Sequence, residues 1–143
     1  MPTPYESARL NLQLYDLRRE PVLREARAWF LAEFHPDTFE ELVALVSGPR
    51  NGAFRMVAGY WDMAASLVTS GAVDAPSFLA AHGEIVAAFA LVHPFVAQLR
   101  AATGEPAFLC HVEQVIATMP DAEATLARRR AVALAVAAAR RAT

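Results

Sequence analysis

Apolar residues recur along almost the whole chain at spacings of three and four, which places them on one side of successive helices. No segment alternates between apolar and polar residues as a half-buried strand does. The one Asn-Gly pair, Asn51-Gly52, follows Ser47-Gly48-Pro49 and precedes helical spacing, so it marks a loop between helices. We predict an all-α fold with a single domain over residues 1–143, a helical bundle of seven or eight helices.

Capping residues, prolines and glycines divide this pattern into helices. The first helix is predicted to begin at Thr3, where Glu6 completes a capping box, and Pro21 begins the second. The remaining starts are predicted at Asp37 with Glu40, Phe54, Asp74, Phe95, Pro106 and Pro120-Asp121. The predicted stops are His35-Pro36, Val46, Ser70-Gly71, His93-Pro94 and Gly104.

The helix predicted at about 54–70 has the widest apolar surface and is expected to be the central helix of the bundle. At ~100° per residue its apolar side chains fill about half of its circumference. They are Met56, Val57, Tyr60, Trp61, Met63, Ala64, Leu67 and Val68. Asp62 lies in the narrow polar strip, where we expect it to face water or to pair with an arginine such as Arg55.

The first and the last predicted helices each have two distinct faces. In the first helix, Leu10, Leu14 and Leu17 lie on one face and Tyr5, Leu12 and Tyr15 lie nearly opposite, so this helix is expected to sit between neighbours. The last helix pairs an alanine face (Ala131, Ala135, Ala138, Ala139) with an arginine face (Arg129, Arg130, Arg140, Arg141). The alanine face suits close approach of another helix, and the arginine face is predicted to be solvated and matched to the helix dipole.

Composition places the chain among soluble globular proteins, since 55% of its residues are hydrophobic and 20% charged. All 13 basic residues are arginine, as codon usage in a GC-rich, bacterial genome would produce, and the net charge of −2 gives no reason to expect nucleic acid. The single cysteine, Cys110, fits a reducing compartment. The first residues form no signal sequence and the longest uninterrupted apolar run is Ala131–Ala139, so we expect a cytoplasmic protein without membrane contact.

The histidines do not form any recognised metal-binding spacing. No Glu-x-x-His pair of the di-iron bundles and no HExxH is present, so neither a metal nor a cofactor is expected. His82 and His93 are predicted on one side of a single helix, about 16 Å apart, which is too far for one ion. Our first interpretation is two neutral histidines at the core edge, each bonded to a backbone carbonyl. The alternative is that one of them lines a ligand pocket.

No catalytic residue is predicted. Glu33 projects onto the apolar face of its helix one turn after Trp29; it either reaches solvent at the helix end or, if buried, becomes a candidate acid or base. Cys110 precedes His111, but adjacent helical side chains diverge by about 100°. The chain has no nucleophile elbow and no glycine-rich phosphate loop.

The stretch Tyr60–Asp74, together with Phe78, His93-Pro94 and Arg100, resembles an uncharacterised family of short, all-helical bacterial proteins that carry only a domain-of-unknown-function label. The resemblance covers roughly Tyr15 to Ile116 and implies an all-helical fold, with no activity or catalytic residue to transfer. Members of that family often have an asparagine near the position of Tyr60 and a membrane helix before the domain. This chain has neither, so membrane association is not carried over.

These observations favour a non-enzymatic protein that acts through protein–protein contact as a homo-oligomer, most simply a dimer with twofold symmetry. The surplus of apolar surface on two helices is the basis of this prediction. The alternative is a small-molecule-binding domain with an apolar pocket near Trp61, His82, Phe89 and His93. An enzyme ranks third and nucleic-acid binding fourth.

Overall fold

The computed structural model describes all residues, 1–143, and contains helices and no strand. The helices are α1 (Pro4–Arg18), α2 (Pro21–Glu33), α3 (Phe39–Ser47), α4 (Asn51–Thr69), α5 (Ala75–Ala81), α6 (Glu84–Val92), α7 (Val96–Thr103), α8 (Cys110–Ala117) and α9 (Ala122–Ala142). A 3₁₀ turn, His93–Phe95, joins α6 to α7 in one rod, Glu84–Thr103. With that rod counted once there are eight helices, which confirms the predicted fold class and helix number.

Capping chemistry sets the helix starts much as the sequence predicts. Thr3 Oγ1 accepts the Glu6 N–H at 3.1 Å and Glu6 Oε2 accepts the Thr3 N–H at 2.8 Å, the reciprocal pair of a capping box. Asp74 caps α5 by accepting the Ser77 N–H at 2.8 Å. Helix α3 is capped one residue later than expected, by Thr38, whose extended backbone and side chain fit the cap position better than the predicted Asp37 does.

The core forms around α4, which packs against α2, α3 and α8, as its predicted central position requires. Aromatic rings from α2 and α4 meet there: Phe30 and Phe34 stack at 4.6 Å, and Phe34 lies 5.4 Å from Phe54. Each such ring contributes about 2–3 kcal/mol through the apolar area that it buries. Helix α6 packs on α2, α8 and α9, and seven of its nine residues are buried.

Three predicted helix boundaries were wrong. Helix α4 begins at Asn51, before the predicted start at Phe54, so Asn51-Gly52 forms its first turn and not a loop between helices. The Asn51 side-chain amide donates to the Val46 carbonyl at 2.6 Å, which ties this first turn to the end of α3.

The helix expected from Asp74 to His93 breaks at His82, whose backbone (φ −126°, ψ 53°) is not helical, because its ring turns inward to Asn11 of α1. Helix α8 begins at Cys110 instead of Pro106. Leu109, which precedes it, takes a left-handed backbone (φ 57°) in order to bury its side chain, and a segment bent in this way cannot continue a helix.

The α6–α7 rod is also long and apolar enough to cross a membrane by length and composition, with a mean hydropathy of 1.6 over its most apolar 18 residues. Counting uninterrupted apolar runs misses it, because His93 and Pro94 divide the segment. The rod is a core helix, and a buried core helix satisfies the same criterion, so it is weak evidence for a membrane span.

Arg130 is part of the protein's framework and not of a solvated arginine face, which corrects that prediction. Its Nη1 donates to the Leu91 carbonyl at 3.1 Å, its Nη2 donates to the Pro36 carbonyl at 2.6 Å, and its guanidinium lies 5.5 Å from the Phe95 ring centre. Pro94 cannot donate to the last turn of α6, so carbonyls there need other donors. Arg130 thereby ties α9 to α6 and to the loop after α2.

Replacing Arg130 with alanine is therefore expected to lower the free energy of unfolding by about 2 kcal/mol, since two charge-assisted hydrogen bonds to backbone carbonyls are lost. The matched control is Arg129→Ala, which removes an exposed arginine from the neighbouring position and should change stability by about 0.5 kcal/mol or less. Urea unfolding followed by circular dichroism measures both. Equal effects of the two substitutions would contradict this role for Arg130.

Candidate functional site

Helix α1 turns a mostly polar face toward the rest of the molecule. Its four buried residues, one per turn, are Ser7, Asn11, Leu14 and Arg18, and only Leu14 is apolar. The backbone N–H of Asp74 donates to Ser7 Oγ at 3.3 Å. Polar contacts therefore make up most of the attachment of this helix, unlike the apolar packing of α4 and α6.

A hydrogen-bonded relay runs from α1 to the buried ring of His82. The Ser77 hydroxyl donates to the Asp74 carbonyl at 3.0 Å, Asn11 Nδ2 donates to Ser77 Oγ at 3.5 Å, and Asn11 Oδ1 lies 3.1 Å from His82 Nε2. Because the amide oxygen only accepts, a neutral His82 carries its proton on Nε2. His82 is bonded to a side chain and not to a backbone carbonyl, which corrects the first interpretation of this residue.

The second group of contacts that attaches α1 is a charged cluster around Glu84, the first residue of α6. Arg27 of α2 binds Glu84 in bidentate fashion at 2.6 and 2.7 Å, and its Nη1 donates to the Arg18 carbonyl at 3.0 Å. The hydrogen bond with Glu84 raises the pKa of Arg27. Tyr60 donates its hydroxyl to the Leu14 carbonyl, and burial raises the pKa of Tyr60 to about 12, so the phenol keeps its proton at neutral pH.

Near these contacts of α1, three buried nitrogens lie around the Trp61 indole and have no hydrogen-bond partner in the protein. They are Arg18 Nε, Trp61 Nε1 and His82 Nδ1. The Arg18 guanidinium lies 5.5 Å from the indole centre, and the His82 ring lies 6.3 Å from it. Each unpaired buried polar atom costs roughly 1–3 kcal/mol. These unpaired atoms lower the stability that the polar contacts of α1 would otherwise contribute.

The residues predicted to line one pocket lie in three places. Trp61 and Phe89 share an apolar cavity of ≈ 20 Å³ between α2, α4, α6 and α8. His82 belongs to the relay with Asn11, and neither His82 nor His93 lines the cavity. Pockets for small-molecule ligands measure about 300–1,000 Å³, so this cavity is too small to support the predicted ligand pocket.

The other two candidates lie near the surface. His93 is half-buried, and its Nε2 lies 3.2 Å from Glu123 Oε2 of α9. Like His82, it contacts a side chain and not the predicted backbone carbonyl. Glu33 is exposed at the last residue of α2, which agrees with the interpretation that it reaches solvent.

The outer face of α1 is apolar and exposed. Tyr5 and Leu12 each keep 69% of their surface in solvent and Tyr15 keeps 51%. The expectation that α1 sits between two neighbours is therefore wrong for a single chain, because its inner side is occupied by polar contacts. On α9, Val132 and Val136 are also exposed, beside the predicted alanine face.

A separate group of reactive side chains forms where α4 meets α8. Asp62 Oδ1 accepts the N–H groups of His111 and Val112 at 3.0 and 3.1 Å and so caps α8 from another helix, in place of the predicted contact with water or Arg55. Asp62, Cys110 and His111 each bring one potential ligand atom within 4.8 Å of the other two. No local pattern in the sequence indicates this group, since Asp62 is far from Cys110 along the chain.

The sequence model of the family described as Domain of unknown function (DUF4760) matches residues 5–119. The chain belongs to this family. The match includes the range over which the sequence resembles a family of uncharacterised helical proteins, and so confirms that resemblance. No curated protein and no solved structure matches the chain.

Within this DUF4760 chain the matched residues run from α1 through α8, and α9 lies beyond them. Arg100, one of the residues that carry the resemblance, closes the turn between α7 and α8. Its Nε donates to the Phe108 carbonyl at 2.9 Å and its Nη2 lies 3.3 Å from Glu113 Oε1. The family name assigns no activity.

The buried His82 predicts a pH dependence of stability. Burial, helped by the charge of Arg18, lowers the pKa of His82 to about 4, whereas an unfolded histidine titrates near 6.5. Between these values the unfolded chain binds the proton more readily. The free energy of unfolding should therefore fall as the pH decreases from about 6.5 to about 4, by at most about 1.4 kcal/mol per pH unit, and this contribution is complete above pH 6.5.

Urea unfolding of the wild type and of His82→Gln across this pH range isolates the effect. The other titrating groups contribute to both proteins, so the difference between the two stabilities should shrink as the pH falls. His93→Gln is the control: it removes a partly exposed histidine and leaves His82 in place, so the pH dependence that His82 causes should remain. If wild type and His82→Gln give parallel curves, His82 is not the buried neutral group described above.

Proposed function

We propose that this protein is a non-enzymatic homodimer that assembles through the outer face of α1. The observation that carries the proposal is the inverted polarity of this helix: its buried side is mostly polar, and Tyr5, Leu12 and Tyr15 are exposed on its outer side. Apolar residues aligned on one exposed face of a helix are typical of protein–protein contacts. The first 22 residues hold six of the exposed large hydrophobic residues: Met1, Tyr5, Leu12, Tyr15, Leu17 and Val22.

The charges on this face fit a second copy of the same helix. If two α1 helices lie antiparallel with Leu12 on the twofold axis, residues whose numbers add to about 24 face each other. Arg9 of one copy then lies beside Asp16 of the other, and Tyr5 lies beside Arg19. An ion pair and a cation–π contact would each occur twice at the rim of an apolar centre.

The proposed partner is therefore this chain itself, and no nucleic acid or membrane is needed. Arg130 donates to two backbone carbonyls, which removes it from the arginine face that would contact phosphate. The single cysteine, Cys110, supports placing the dimer in the reducing interior of a bacterial cell. One helix pair buries less than a standard interface, so we expect a dissociation constant of about 1–100 µM, or roughly −8 to −5 kcal/mol.

Replacing Leu12 with glutamate should abolish the dimer, because two like charges would meet at the axis. The control is Val132→Glu on α9, where an apolar residue of similar exposure is changed away from α1. Sedimentation velocity from about 1 µM to 500 µM, a range set by the expected affinity, should show a monomer–dimer equilibrium for wild type and Val132→Glu and only monomer for Leu12→Glu. A monomeric wild type, or a dimer that only Val132→Glu disrupts, would overturn the proposal.

The antiparallel arrangement makes a sharper prediction about the charges. Arg9→Asp and Asp16→Arg should each weaken the dimer, because each places like charges in contact twice. The double variant reverses both pairs and should recover most of the wild-type affinity. Additive weakening in the double variant would exclude contact between Arg9 and Asp16 of the partner subunit.

A further inference from the structure

Asp62, Cys110 and His111 form the one place in the fold where three or more potential metal ligands of the His, Cys, Asp and Glu types come together. Packing of α4 on α8 brings them together, and their ligand atoms lie within 4.8 Å of one another. All three residues are half-buried, so solvent and ions reach them. The group combines a carboxylate, a thiol and an imidazole.

Two of these side chains are held by other contacts that leave a ligand atom free. Asp62 uses Oδ1 to cap α8, and its second oxygen has no partner within the protein. The Thr69 hydroxyl donates to the Ser66 carbonyl at 3.2 Å, so its oxygen, 2.7 Å from His111 Nδ1, accepts a hydrogen bond from that nitrogen. A neutral His111 then keeps its lone pair on Nε2. A hydrogen bond to the ring nitrogen that does not bind the metal orients metal-binding histidines.

We propose that Asp62, Cys110 and His111 bind a divalent transition-metal ion of the zinc class. Thiolate, imidazole and carboxylate are the ligands that zinc takes in proteins, and three of them leave a fourth position for water. Ligand atoms around a tetrahedral zinc lie roughly 3.3–3.8 Å apart, so rotations that move these atoms by about 1 Å complete the site.

The charges balance when the ion binds. The Cys110 thiol loses its proton to solvent, and the thiolate and the Asp62 carboxylate together neutralise the two positive charges of the ion. The carboxylate also offsets the positive end of the α8 dipole, which by itself would disfavour a cation. Binding should therefore release a proton and weaken as the pH falls. The sequence predicted no metal here because neither Cys110 nor His111 belongs to a recognised ligand spacing.

Cobalt titration of the full-length, metal-stripped protein tests this site directly. Cys110 is the only cysteine, so a near-ultraviolet thiolate-to-cobalt charge-transfer band arises from this residue alone. We expect one equivalent of Co²⁺ to produce the band together with the intense visible bands of tetrahedral cobalt, and Zn²⁺ to displace it. Cys110→Ser should lose the charge-transfer band entirely.

Variants of the other ligands distinguish a built site from a thiol that binds cobalt alone. His111→Gln and Asp62→Asn should each weaken Co²⁺ binding by about tenfold or more. Asp62→Asn keeps an oxygen to cap α8, and circular dichroism checks that the variant is folded. Glu113→Gln, on the same helix but outside the group, is the control and should bind as wild type does. The proposal is overturned if no band forms with stoichiometric Co²⁺, or if the band is unchanged in both His111→Gln and Asp62→Asn.

Discussion

The polar attachment of α1 decides which surfaces this protein offers to others. The inner side of the helix is occupied by the hydrogen bonds and ion pairs of Ser7, Asn11 and Arg18. Their partners lie in α5, in α6 and in the residues just before each of these two helices. Because polar residues occupy most of the inner side of this helix, most of its large apolar residues point to solvent, and Leu14 is the one that is fully buried. The exposure of Tyr5 and Leu12 is a direct consequence, and a second copy of the chain would bury them.

The break at His82 is what makes this attachment possible. In a continuous helix from Asp74 to His93 the ring of His82 would follow the helix face and could not turn to Asn11. Ending α5 at Ala81 frees the ring, and restarting at Glu84 places a carboxylate between Arg18 and Arg27. The second irregular backbone, at Leu109, begins α8 where Asp62 can cap it and sets Cys110 and His111 beside that carboxylate.

The fold was predictable because its signals are local. Periodic apolar residues, the capping box at Thr3 and the stop at Gly104 depend on neighbours within one or two turns. The candidate sites were not predictable, because each of them joins residues that are far apart in the chain. These pairs are Asn11 with His82, Asp62 with His111, and Arg130 with Pro36. Periodicity assigns a residue to a face but does not say which partner it meets, so Asp62 was expected to contact water and His82 a backbone carbonyl. Histidine beside glycine at 82–83 is the one local sign of the helix break.

Disulfide trapping at the proposed twofold axis tests the central claim most directly. Cysteine is introduced at position 12 in a Cys110→Ser background, so that the only thiol lies on the outer face of α1, and the matched protein carries it at position 132 on α9. Under mild oxidation the Leu12→Cys chains should cross-link into dimers while the Val132→Cys chains remain monomeric, since only the former places two thiols across the axis. Cross-linking through position 132 alone, or through neither, would show that α1 does not form the interface.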